Sequence, residues 1–357
     1  MTVKKLSTIS VIAAFLLLAN TLVFSQTWRV KNRIQASVES DDNITETIAI
    51  DSQPFIQGNS LRLLIHSSAT RRARQFRAAF VYKGGIQSYF NNKFENKLIH
   101  EISGQASRKL WKFVFGLRFN GRLKIFLNNN FDYGLATTGG FLGLPTIFGL
   151  TIEAAVSQTS LDYSHSNEFD LEEFRYSIVF SKKINYRLFL KLQPFFANTA
   201  FDERPVFIFQ EFENNKLVDS GRKRKDEIYS MEIKAVLTKP FLFTVGYQWR
   251  RNDSNDKAFA FSYHQLSCTF ALPLPGDFLL RSAAAAQFKK YRYMVATLPI
   301  TGDPEQSESN FMIIDLSKDL NAGATVILRL ALHNNESTLR NHFYRKKILN
   351  LGFDFRF

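Results

Sequence analysis

Alternation of apolar and polar side chains with a period of two runs through nearly the whole chain, and no other feature narrows the choice of fold as much. In a strand successive side chains point to opposite faces, so residues i, i+2 and i+4 share one. At the C-terminus Leu349, Leu351, Phe353, Phe355 and Phe357 fall on one face, with Asn350, Gly352, Asp354 and Arg356 on the other. Near the N-terminus Trp28, Val30, Ile34, Ala36 and Val38 oppose Arg29, Lys31, Arg33, Gln35, Ser37 and Glu39. The pattern recurs where Phe174, Tyr176, Ile178 and Phe180 alternate with Arg175, Ser177 and Ser181, and where Tyr229, Met231, Ile233, Ala235 and Leu237 alternate with Ser230, Glu232 and Lys234. Both ends of the domain, and much between them, read as two-faced strands.

Asn120-Gly121 is a strong hairpin signal. A two-residue hairpin would flip the parity of the apolar face, yet Phe113, Phe115, Leu117, Phe119, Leu123, Ile125 and Leu127 are all odd-numbered. The segment therefore reads as one long strand through the glycine. Strands are expected near 27–40, 59–70, 76–89, 95–108, 112–127, 130–141, 147–163, 172–184, 187–200, 226–238, 241–252, 260–272, 277–292, 309–318, 323–334 and 343–357. The count is sixteen, or fourteen if 130–141, blurred by Gly139-Gly140 and Gly143, is a loop or the first strand pairs elsewhere. Short connections, such as 107–111, 181–187, 238–240, 273–277 and 318–322, alternate with longer polar ones at 40–58, 201–226, 251–258, 294–308 and 334–342. Short turns at one rim and long loops at the other is the arrangement of a closed antiparallel transmembrane β-barrel. An all-β barrel of about sixteen strands is the expected fold class.

Residues 1–25 have a different character. A basic head with Lys4 and Lys5 precedes an apolar run from Ile9 to Phe24 and the small residue Ser25, the layout of a secretory signal peptide cut before Gln26. The apolar run is shorter than the ~20 residues a spanning helix needs, and no cysteine follows the cut to carry a lipid. The expected organisation is thus a leader over 1–25 and a barrel over 26–357. A hydrophobic share of 45% excludes a disordered chain. Cys268 is the sole cysteine, so no internal disulfide forms. It keeps phase with Leu266 and Phe270, which makes it lipid-facing.

The leader, the alternation and the closing Leu-Gly-Phe-Asp-Phe-Arg-Phe together resemble the outer-membrane β-barrels of Gram-negative bacteria. A last strand ending in phenylalanine looks like the assembly signal of that class, carried here by Phe353, Phe355 and Phe357. The resemblance implies the barrel assembly machinery as a partner, and outer-membrane lipid with lipopolysaccharide as the surroundings. The Arg-Asn-Asp-Ser-Asn-Asp segment at 251–256, followed by Tyr263-His264-Gln265-Leu266, is similar to hairpins in the barrel of surface lipoprotein assembly modifiers. Those proteins carry a helical repeat domain ahead of the barrel, for which this sequence shows no counterpart.

Candidate chemistry is sparse. Outer-membrane phospholipases place a serine and a histidine two apart on one strand, whereas His165 here neighbours Ser164 and Ser166 at i±1, so in a strand base and nucleophile would point apart. No enzyme is expected. His66, His100, His165, His264, His333 and His342 are dispersed, which argues against a metal site and for positions in lumen or loops. No cofactor is expected.

Charge is more informative: 46 Lys and Arg stand against 32 Asp and Glu, a formal net charge of +14. The basic residues alternate with apolar ones and form no continuous patch, so nucleic acid is a poor partner. On the polar strand face lie Arg29, Lys31, Arg33, Arg62, Arg77, Lys83, Arg118, Arg122, Lys124, Arg175, Lys191, Lys234, Arg250, Arg281, Lys289, Arg329 and Arg356. Glu39, Glu101, Glu153, Glu232, Asp315 and Asp354 share that face. A basic interior would favour anions. The expected function is a passive pore for small, preferably anionic solutes. The alternative is a non-conducting barrel that binds, assembles or exports a partner protein through its 201–226 segment. The oligomeric state is open.

Overall fold

The computed structural model describes residues 28–44, 56–129, 132–165, 167–213, 216–293, 310–336 and 343–357. The expected leader and the 294–308 connection lie outside the described residues, as do most of the expected loops at 40–58 and 334–342. Sixteen strands follow in order: β1 (Arg29–Asp41), β2 (Gly58–Arg72), β3 (Phe76–Tyr89), β4 (Lys97–Leu110), β5 (Phe113–Phe126), β6 (Tyr133–Gly143), β7 (Leu150–Tyr163), β8 (Leu171–Lys183), β9 (Leu188–Glu213), β10 (Lys216–Leu237), β11 (Leu242–Ser254), β12 (Phe261–Leu274), β13 (Phe278–Tyr291), β14 (Phe311–Asp319), β15 (Ala324–Glu336) and β16 (Phe343–Arg356). Each pairs antiparallel with its neighbours in the chain, and β16 returns to β1, so the sheet closes. Closure leaves no edge of unpaired backbone for lipid to meet.

The doubtful sixth strand is a full member: β6 pairs with β5 from Tyr133 to Gly143 and with β7 over the same span. Asn120 and Gly121 sit inside β5, opposite Ser103 and Ile102 on one side and Thr137 and Ala136 on the other, so parity had overruled the hairpin signal for good reason. At the seam, Ser37 faces Gly352 and Val38 faces Leu351. The last rung is a reciprocal backbone pair between Asn32 and Phe357, 3.1 Å in each direction.

Register sorts the side chains into two sets. Leu349 and Leu351 are 53% and 52% exposed, whereas their neighbours Asn350 and Asp354 are buried. Val30, Val38, Leu61, Leu63, Ile65, Leu117, Ile178, Leu328 and Phe353 are likewise bare on the outside. A continuous exposed apolar band around a molecule is intolerable in water. It is the lipid-facing surface of a membrane-spanning barrel. The rim of short turns carries Trp111, Phe148 and Tyr186, all exposed, with Phe357 beside them, as expected where rings sit at a headgroup boundary. Trp111 opens the tight β4–β5 turn with φ +56°.

The other rim differs from the sequence reading in one respect. Residues 201–213 and 216–226, expected to belong to a loop, are strand: β9 and β10 run on far beyond the ends of their neighbours as a paired hairpin, with register shifts near Val218, Lys223 and Lys225. Its root is clamped at the barrel mouth. Arg204 and Arg224, both buried, gather on one ring, with guanidinium carbons 4.4 and 3.7 Å from the Phe259 ring centre. Arg224 Nε also donates to Asp226 Oδ1 at 3.0 Å. Asn255, from the β11–β12 connection, covers part of the β10 edge by accepting from Lys225 N (2.8 Å) and donating to the Lys223 carbonyl (2.9 Å). The sequence signal missed here is the mixture of apolar and charged residues, which hides alternation once bulges shift the phase.

Candidate functional site

The site is the barrel lumen. Cross-strand register places every basic residue expected to face inward (Arg29, Lys31, Arg33, Arg118, Arg122, Lys124, Arg175, Lys234 and Arg329) on the face opposite the lipid band. Arg122 stands opposite Glu101, Arg329 opposite Asp315, and Lys234 opposite Lys191.

Many of these cations are neutralised by acids of the same lumen. Arg118 makes two hydrogen bonds to Glu153, 2.7 and 2.9 Å, and Arg122 binds Glu101 at 2.9 Å. Arg175 pairs with Glu173 (2.7 Å), Lys234 with Glu232 (2.6 Å), Arg33 with Asp354 (2.6 Å) and Arg329 with Asp315 (2.6 Å). Two of these pairs are legible at period two, since Glu173 and Arg175, like Glu232 and Lys234, are two residues apart on one strand. Glu173 was nevertheless missing from the expected set. Arg29, Lys31, Lys191 and Arg250 have no carboxylate in ion-pair reach among the described residues, so the lumen keeps a positive surplus.

The lumen has two unlike walls. Across β16, β1, β2 and β3 polar side chains are packed together: Gln87 Nε2 lies 2.8 Å from Glu39 Oε1, 3.2 Å from Ser60 Oγ and 3.0 Å from the Tyr89 hydroxyl. Asn350 donates to Ser37 Oγ (3.0 Å) and Glu39 Oε2 (3.4 Å), carrying the network over the seam. Ser37, Glu39, Ser60, Gln87 and Asn350 are all buried. The wall that continues from Lys83 on β3 round to β9 is more open. The side chains of Lys83, Arg118 and Arg122 are 57%, 44% and 45% exposed despite pointing into the molecule. Recesses of about 500 and 440 Å³ lie along that wall between β3 and β9.

Arg118 is held by stacking as well as charge, with its guanidinium carbon 4.1 Å from the Phe141 ring centre. Phe141 lies on Gly116, where an added Cβ would come within 2.2 Å of the ring and collide with it. Arg175 stacks in the same way on Phe195, at 4.6 Å.

The histidines need correction. His66 and His333 face the lumen, but His100 and His264 face lipid, hydrogen-bonded to Tyr82 (2.9 Å) and Tyr247 (2.7 Å). Each ring is made tolerable in lipid by its phenol partner. The alternation contained this information, because His264 shares parity with Leu266 and Cys268. Cys268 faces lipid as expected. His165 lies in the turn after β7 with no side-chain hydrogen bond among the described residues, Ser166 lies outside them, and His342 does too. Groups of three or more metal-ligating side chains are absent among the described residues.

A closed sixteen-strand wall, apolar outside and charged inside, defines a membrane-spanning β-barrel. No family model and no curated protein matches the sequence. Among solved structures the chain is similar to Pseudomonas aeruginosa OccK5 (OpdH), at 10% identity and TM-score 0.44, covering 94% of this chain and 99% of that one. It is similar to Acinetobacter baumannii OccAB3 at 8% identity and TM-score 0.41, covering 92% and 99%. An engineered porin of Rhodopseudomonas blastica shares 12% identity with TM-score 0.39, covering 93% and 100%. At these values no residue role passes from those chains to this one.

Proposed function

We propose that the protein is a passive pore that lets small solutes cross the outer membrane, with a preference for anions. The observation that carries this reading is the exposure of Lys83, Arg118 and Arg122 inside a closed barrel: charged side chains stay solvated there only if water fills the space beside them. Sixteen strands enclose enough room for such a channel. The anion preference follows from the surplus of lumen cations, acting in a low-dielectric wall that focuses their field. Acids close to Arg118, Arg122 and Arg175 weaken the preference without reversing it.

Conductance of single molecules in planar bilayers tests the reading. Steady channels with a reversal potential favouring chloride over potassium are expected. Replacing Arg118 and Arg122 together by Glu should lower that selectivity or invert it. Folded protein that conducts nothing would refute the pore, and cation preference in the wild type would refute the charge argument.

The projecting β9–β10 hairpin supports a second role, capture of a partner protein at the cell surface, which is compatible with an open lumen. In the cell the chain is expected to enter the outer membrane after removal of residues 1–25, delivered by the barrel assembly machinery through Phe353, Phe355 and Phe357, and to meet lipopolysaccharide at its long-loop rim.

A further inference from the structure

Lys191 and Lys234 stand directly opposite each other on the lumen face of β9 and β10. Like charges in that register repel and destabilise a strand pair. Only one carboxylate relieves them: Lys234 Nζ is 2.6 Å from Glu232 Oε1, and Lys191 has no acidic partner among the described residues. On its other side Lys191 faces Ser181, which in turn faces Thr151. Lys191, Ser181 and Thr151 border the recess of about 440 Å³, whose wall also includes Ser177, Val179 and Gln193. Arg118 and Glu153 reach it too, but they neutralise each other.

We propose that this recess is a binding subsite for small organic monocarboxylates, with Lys191 as the charged anchor; the assignment rests on the pore reading given above. Charge selects a monoanion. Arg118 and Glu153 cancel, so Lys191 leaves the lining one positive charge, which a single carboxylate balances. A dianion would bring an extra negative charge beside Glu153. Hydroxyls of Thr151, Ser177 and Ser181 and the Gln193 amide supply donors for the carboxylate and for a hydroxyl substituent. Val179 offers the one apolar surface, suited to a short alkyl group. The volume is at the small end of ligand pockets. Bound carboxylate would also relieve the repulsion between the two lysines, so occupancy and wall stability are coupled.

The test uses full-length protein refolded in detergent, with L-lactate as the probe and saturation-transfer NMR as the readout, in parallel with lactate block of chloride current in bilayers. Saturable binding is expected, with the half-saturating concentration raised about tenfold by Lys191→Gln and nearly restored by Lys191→Arg. Lys109, opposite Val114 at the short-turn end of β4, is the control: Lys109→Gln removes the same unit of charge and should shift the half-saturating concentration less than about twofold. Absence of saturable binding to the wild type would overturn the assignment, as would equal weakening by the Lys109 and Lys191 variants. Tighter binding of inorganic phosphate through Lys191 would overturn the carboxylate class. Lactate binding that depends on Lys191 in a protein without conductance would uphold the subsite while refuting the pore.

Discussion

Leu351 and Asn350 are adjacent in the chain, yet one is solvated by hydrocarbon and the other by protein. Leu351→Arg should cost about 2–4 kcal/mol at mid-strand, where a guanidinium must snorkel out of lipid. Parity alone makes Asn350 look dispensable. Its bonds to Ser37 and Glu39 mean that Asn350→Ala strands part of a buried carboxylate, for about 1–3 kcal/mol. Urea unfolding of both variants in one lipid or detergent checks the pair of values. Asp256 gives a pH dependence. Burial, only partly offset by the hydrogen bond from Ala258 N, raises its carboxyl pKa above the usual range. The native state therefore holds this proton more tightly than the unfolded chain, so the residue's contribution falls as pH rises from below its ordinary value through its folded one. Asp256→Asn keeps an acceptor for Ala258 N. The wild-type-minus-variant difference in unfolding free energy should decline with rising pH over that window, and a flat difference would refute the burial argument.

At the scale of elements, the strands were legible because lipid on one side and polar side chains on the other impose the same two-residue period on every segment. The β5 reading through Asn120-Gly121 and the parity of Cys268 rest on that period alone. Phase fails as a guide where the wall stops. Beyond residue 201, β9 no longer pairs with β8, and its partner β10 carries register shifts, so the hairpin could not be read from alternation. Ion pairs such as Arg118 with Glu153 join residues on β5 and β7, and only the barrel's curvature brings them together across β6. The hairpin's independence is testable. Outside its root it pairs with itself, so replacing 206–222 by a short Gly-containing turn should leave the barrel's unfolding midpoint unchanged. Arg224→Ala, which opens the clamp on Phe259, should instead increase protease cleavage within the hairpin at native conditions. Equal protease resistance in that variant would show that the clamp does not hold the hairpin.

The whole molecule should give an all-β circular dichroism spectrum in detergent and migrate faster on gels unheated than boiled, since a closed barrel resists detergent until heat breaks the ladder; a helix-dominated spectrum would refute the fold. The seam adds a temporal constraint. Ser37 and Asn350, bonded through their side chains, are separated by 313 residues of chain, so the first strand has no second neighbour until the last has been made. Loop closure over that distance is entropically slow. Until then both terminal strands offer open edges, and the buried carboxylate of Glu39 lacks one of its donors. Assembly thus ends in a latch rather than a gradual consolidation: loss of the final strand would remove more than one-sixteenth of the wall, because it would turn a sealed cylinder into a curled sheet with two reactive margins and no fixed interior.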